Sequence, residues 1–226
     1  YDVIGRSDEE INEAFDTDAK VLSANELLYA ATLTNDKARQ EAIYKKTTEL
    51  YPNDFRAYNN LGMMAYANGD FTTAENYFKQ AASKDANAPE VNTNLGYIEL
   101  VKGNVANAET YLSKSTGANT ANEALGNLYI KQGQYDRAVQ AFGDTKTNSA
   151  ALAQILAKDY NKAKNTLNAV KNPDAYTDYL MAIVGARTNN ADLVKTSMAK
   201  VAQKDATLAA KAQIDREFAK YANEIK

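Results

Sequence analysis

Three stretches of the chain align with one another without gaps: residues 61–78 (LGMMAYANGDFTTAENYF), 95–112 (LGYIELVKGNVANAETYL) and 125–142 (LGNLYIKQGQYDRAVQAF). Leu61, Leu95 and Leu125 coincide, each followed by a glycine (Gly62, Gly96, Gly126). A second glycine follows (Gly69, Gly103, Gly133), then an alanine (Ala74, Ala108, Ala138), and Phe78, Leu112 and Phe142 close the set. The second copy begins 34 residues after the first and the third 30 residues later. A weaker fourth copy stands 25 residues further on, where Tyr160, Ala163 and Leu167 repeat the spacing of Tyr135, Ala138 and Phe142. A period of this size marks stacked supersecondary units, none of which can bury its apolar face alone.

Each recurring position has a mechanical reason. Leu61, Gly62 and Ala65 fall on one helical face. Glycine there costs about 1 kcal/mol of helix propensity, so it is expected only where another helix approaches too closely for a side chain. Gly69 is expected to end the first helix in a left-handed conformation. Asp70, Asn104 and Asp159 stand where a side-chain oxygen would cap the second helix, with Gln134 a poorer occupant. Ala74 is a second close-contact point, and Phe78 fills the space beneath it. The unit so described is a helical hairpin.

At these residues the chain resembles the tetratricopeptide repeat (TPR) family. The match covers about 55–142 specifically and 148–171 fairly; Tyr58 occupies the aromatic position that often opens the motif. The second copy departs from the pattern, with Asn92 at that position and Ser115 where Ala81 satisfies the motif. The resemblance implies an all-α, right-handed superhelix of about five stacked hairpins, the first helix of each lining a concave groove.

The flanks read as further helices. Ser7-Asp8-Glu9-Glu10 and Ser23-Ala24-Asn25-Glu26 are capping boxes. Leu27, Leu28 and Ala31 are placed to pair with Ile43, Tyr44 and Leu50, and Tyr51-Pro52-Asn53-Asp54 marks the turn into the first clear copy. Residues 174–188 and 191–204 outline a fifth pair. Residues 206–225 read as one closing helix with Leu208, Ala212, Phe218 and Ile225 inward. The expectation is one solenoid over 1–226: degenerate N-terminal capping helices over 1–54, recognisable repeats over 55–171, and a degenerate hairpin with a closing helix over 172–226. Terminal repeats of a solenoid are atypical because one side faces water.

Composition narrows the chemistry. The chain has no His and no Cys, which removes thiol nucleophiles, imidazole bases, thiolate or imidazole metal sites and disulfides. Asp8-Glu9-Glu10 reads as a helix start favoured by the macrodipole, and Asp215-Arg216-Glu217 as a solvated face. Asp16-Thr17-Asp18 is too short for a calcium loop, and no glycine-rich phosphate cradle is present. Neither catalysis nor a cofactor is expected; an enzyme would have to rest on a groove carboxylate such as Glu123. With 26 basic and 29 acidic residues and no basic cluster longer than a pair, nucleic acid is not an expected partner. No apolar run approaches the roughly 18 residues of a membrane span. The start at Tyr1-Asp2 without Met reads as processed or trimmed.

The remaining surface is the groove. Asn59, Asn60, Met63 and Tyr66 of the first copy, Thr93, Asn94, Tyr97 and Leu100 of the second, and Glu123, Ala124, Asn127 and Lys131 of the third are offset from the stacking face. Asn60 and Asn94 should stack as a ladder, and a primary amide both donates and accepts, as an extended peptide backbone requires. The resemblance implies that use; the alternative is that the amides bond across the neighbouring helix with no ligand. A clamp for a terminal carboxylate is poorly supplied, since only Arg56 and Lys131 are nearby cations. The function expected is a non-catalytic scaffold for a peptide or partner protein, acting as a monomer or weak homo-oligomer, with a purely structural spacer as the alternative. The opening Tyr1–Ile11 segment, the stretch YPNDFRAYNNLG and the closing DREF are similar to TPR modules of bacterial cell-envelope proteins. That similarity favours a periplasmic or cell-envelope location over the cytoplasm.

Overall fold

The computed structural model of the chain describes residues 5–115 and 119–226; residues 1–4 of the opening segment lie outside them. The described residues form fourteen α-helices and two 3₁₀ segments, in two compact units, Tyr1–Ala118 and Asn119–Lys226.

The first unit holds α1 (Asp8–Asp18), α2 (Ala24–Thr32), α3 (Lys37–Leu50), α4 (Phe55–Ala67), α5 (Phe71–Lys84), α6 (Pro89–Val101) and α7 (Val105–Lys114). Helices α2 to α7 pack as three successive pairs. The second unit holds α8 (Asn119–Lys131), α9 (Tyr135–Phe142), α10 (Asn148–Leu156), α11 (Tyr160–Asn168), α12 (Ala175–Arg187), α13 (Ala191–Lys204) and α14 (Ala206–Ala212). Three further pairs, α8 with α9, α10 with α11 and α12 with α13, make six instead of about five. The pair α2–α3 was the one disguised as a cap. Its connection, from Leu33 to Asp36, carries no glycine, and Asp36 starts α3 by accepting the Ala38 N–H.

One turn closes the other five hairpins. Gly69, Gly103 and Gly133 have φ of 78°, 79° and 74°, and Lys158 and Asn189 take the same place with φ of 65° and 56°. In each turn the next residue donates its N–H to the carbonyl five residues back: Asp70 to Ala65, Asn104 to Glu99, Gln134 to Tyr129, Asp159 to Gln154 and Asn190 to Gly185, all at 2.8–2.9 Å. This is the 6→1 bond of a left-handed helix stop. Asp70, Asp159 and Asn190 then cap the second helix. Asn104 does not. Its amide donates instead to Glu99 Oε2 at 2.9 Å, because the nearly buried Glu99 carboxylate is a stronger acceptor than the exposed helix end is a donor.

The stacking glycines lie at helix crossings, but the neighbour they accommodate belongs to their own hairpin. A Cβ on Gly62 would sit 2.5 Å from the Phe78 ring, one on Gly126 2.5 Å from Phe142, and one on Gly96 2.8 Å from Leu112. Leu61, Leu95, Leu125, Ala74, Ala108 and Ala138 are buried around these contacts. The two departures of the second copy are compensated by hydrogen bonds. Asn92 donates to the Ala86 carbonyl at 3.2 Å and Ser115 to the Pro89 carbonyl at 2.9 Å.

The closing segment is broken where one helix was expected. After α14 the chain turns and makes a 3₁₀ helix at Arg216–Tyr221. Asp215 causes the break: one oxygen caps that 3₁₀ helix through the Glu217 N–H and the other accepts from the Tyr179 hydroxyl. Even so, Ala212, Phe218 and Ile225 are buried on α12 and α13, with Leu208 half-buried beside them. Arg187 pairs with Glu217 at 2.5 Å, and the Tyr179 ring meets Phe218 edge-on. The segment seals the exposed apolar flank of the last hairpin.

Candidate functional site

In the first unit the proposed groove residues stand on α4 and α6, the first helices of consecutive hairpins. Asn59 is buried with 6% exposure. Its Oδ1 accepts from Asn94 Nδ2 at 2.9 Å and its amide reaches Met63 Sδ at 3.8 Å. The expected ladder of Asn60 with Asn94 is therefore not formed: Asn94 pairs with Asn59, one residue earlier on α4. The inter-helix offset aligns position 59, not position 60, with position 94. This amide pair fixes the register of α4 against α6.

Asn60 is left half-buried, with no side-chain hydrogen-bond partner among the described residues. Met63 is 50% exposed. Tyr66 meets Phe71 edge-on with ring centroids 5.1 Å apart, and its ring lies 6.5 Å from that of Tyr97. Phe71, Val101 and Val105 continue the exposed apolar surface; sequence reasoning passed over them. The signal was available, because Phe71 and Val105 start the second helices of the first two copies at equivalent positions. From residue 57 to 69 α4 and its turn carry no charge, and α6 carries none from 91 to 98. Arg56 just precedes this stretch and is held by Asp54 and by Asn25 at 2.8 Å. Glu75 ties the two hairpins together on the other side, taking Lys79 at 3.0 Å and Lys102 at 3.1 Å. Lys79 first, then Lys102, holds its carboxyl below the ordinary range against the opposing effect of burial.

Asn127 and Lys131 belong to α8 in the second unit. Asn127 is half-buried and Lys131 exposed, and neither has a side-chain partner among the described residues. Chemically, the α4–α6 surface offers an amide, a thioether and two phenol rings, a set suited to contact rather than to bond-making. Among the described residues no three carboxylates converge as a metal site, and no helix is long and apolar enough to cross a membrane.

Hairpins closed by one recurring turn and keyed by a glycine against a bulky residue define an all-α helical-repeat protein. The chain carries tetratricopeptide repeats: family models described by that name match residues 43–76, 60–123 and 123–146. Among solved structures, YrrB, described as a TPR protein with an unusual peptide-binding site, matches with a TM-score of 0.58 and 18% identity, over 74% of this chain and 97% of its own. PilF of Pseudomonas aeruginosa matches with a TM-score of 0.66 and 13% identity, over 95% and 99%. PilW, a widely conserved type IV pilus biogenesis factor, matches with a TM-score of 0.61 and 17% identity, over 87% and 97%. At such identities the likeness is one of fold. No curated protein sequence matches the chain. The fold is that of a protein–protein interaction scaffold.

Proposed function

We propose that the chain is a non-catalytic scaffold whose first unit holds an extended peptide or a partner's exposed segment along α4 and α6. The observation that carries this is the surface of Asn60, Met63, Tyr66 and Tyr97: an amide without an internal partner beside the exposed Met63 and the half-buried rings of Tyr66 and Tyr97, on first helices whose glycines are already used in the hairpins. Aromatic and Met side chains around a polar handle are the composition of contact hot spots. Asn127 and Lys131, on α8, are a separate candidate contact surface in the second unit. The peptide-binding site named for YrrB and the pilus-biogenesis role named for PilW are compatible with such use, and the latter favours a periplasmic or cell-envelope setting.

The Asn59–Asn94 pair favours a second reading. Those amides are spent on each other, as they would be in a spacer whose contacts lie elsewhere. Peptides selected from a random display library against the folded chain separate the two. Groove binding shifts the backbone amide resonances of Asn60, Met63, Tyr66 and Tyr97 and weakens at least about tenfold in Tyr97→Ala, the usual scale for an aromatic anchor. Selected peptides that shift only second-helix resonances, or no selectable binder, would support the spacer.

A further inference from the structure

The two units differ in charge. Residues 1–118 carry 11 basic and 18 acidic side chains, a net −7, and residues 119–226 carry 15 and 11, a net +4. We propose that the exposed lysines of α11 and α13 in the second unit dock the acidic N-terminal helix α1 of a second copy of this chain. This inference is independent of the groove.

On the second helices of the first unit, Lys45, Lys46 and Lys79 pair with Glu41, Glu49 and Glu75, while Lys84 and Lys114 lie over the Tyr58 and Tyr111 rings. The second helices of the second unit, α9, α11 and α13, contain no Glu. Their acids are confined to helix starts, Asp136 and Asp192 in the first turn and Asp159 as the cap of α11. Lys164, Lys195 and Lys200 are exposed and Lys162 half-buried; none has an ion-pair partner among the described residues. Their excess charge faces outward.

Helix α1 is the complement within the same sequence. All six of its charged residues are acidic. Asp8 accepts the Tyr29 hydroxyl and Asp16 the Arg39 guanidinium, while Glu9, Glu13 and Asp18 are exposed without an ion-pair partner among the described residues. Opposed exposed charges of this kind steer encounter and set orientation, over a range of about 8 Å at physiological ionic strength. The contact pairs α1 of one copy with α11 and α13 of another, so it either closes reciprocally as a two-fold dimer or propagates head to tail, and the mass reached at low salt distinguishes the two.

Sedimentation velocity on the full chain at about 20 mM and about 300 mM monovalent salt tests this, because those conditions bracket strong and weak screening. At low salt the average mass should rise with concentration to that of a dimer or beyond, and at high salt it should return to monomer. Lys164→Glu/Lys195→Glu/Lys200→Glu and Glu9→Lys/Glu13→Lys/Asp18→Lys should each remain monomeric at low salt with unchanged circular dichroism. Mixing the two variants should restore association, since each then offers what the other lacks. A monomer under all conditions overturns the proposal, as does association indifferent to either charge reversal. So does a lysine face that binds anionic phospholipid vesicles while the chain stays monomeric.

Discussion

Lys158 is a lysine in a glycine's place, and replacing it should stabilise the protein. Its φ of 65° puts it in the left-handed region, where three of the four equivalent turns have glycine. The Cβ of an L-residue there costs about 1–2 kcal/mol against the following carbonyl. Lys158→Gly relieves that cost but loses about 0.5–1 kcal/mol through the greater freedom of glycine in the unfolded chain. The net expected gain is about 0–1.5 kcal/mol, a rise in Tm of up to about 6 °C for a chain of this length. No polar interaction of the side chain enters the comparison, because Lys158 is exposed and has no hydrogen-bond or ion-pair partner among the described residues. Asn189→Gly should gain less, since asparagine tolerates this conformation better. Urea unfolding gives the global value, and hydrogen exchange at α10 and α11 gives the local one, which matters because repeat arrays do not always unfold in one step. A destabilised Lys158→Gly would refute the assignment of the shared turn as a strained left-handed stop.

Three further outcomes follow from the packing. Gly62→Ala should destabilise by about 1–3 kcal/mol less the roughly 1 kcal/mol gained in helix propensity, and Phe78→Leu in the same chain should recover part of the loss; thermal unfolding of the single and double variants checks this. Gln154 is 1% exposed and its Oε1 has no partner, so Gln154→Leu should raise stability by about 1 kcal/mol, measured by urea midpoint, as the unmet desolvation disappears. Burial pushes the Glu26 carboxyl up, but the Ser23 N–H, the Arg6 guanidinium and the Ser23 hydroxyl outweigh it and hold the group below its ordinary range. A folded value below the unfolded one stabilises the protein above the unfolded value of about 4.3, and that contribution is lost as pH falls through the folded value. Glu26→Gln retains the capping box and should flatten this acid-side slope; an unchanged slope between pH 5 and 3 would exclude Glu26 as a source.

The parts of the fold legible in the sequence were those that depend on a residue type with one mechanical use. Gly69, Gly103 and Gly133 announced the turns because no other residue takes that φ without strain, and Ser7 and Ser23 announced helix starts because their capping partners lie three residues away. Lys158 and Asn189 hid the same turn in the fifth and sixth hairpins, since neither residue type advertises the conformation it is forced into. Asp215 broke the closing helix through a bond to Tyr179, 36 residues away, which no local pattern contains. At the candidate site, helical offset was enough to select Met63, Tyr66 and Tyr97. It could not separate Asn59 from Asn60, because which of two adjacent amides meets Asn94 depends on how far one helix slides along the next.

The five matching turns fall at residues 69, 103, 133, 158 and 189, so their separations are 34, 30, 25 and 31. The differences are absorbed at the opposite edge: α5 has fourteen residues, α7 ten and α9 eight, and α10 begins late enough to keep only nine. Within each unit the turn is thus the constant part of a hairpin, while the lengths of the helices it joins vary. Linkers such as 143–147 and 169–174 are accordingly the places to graft a tag or a loop without disturbing any neighbour, whereas one residue added between Gly133 and Gln134 would throw the hairpin it closes out of step.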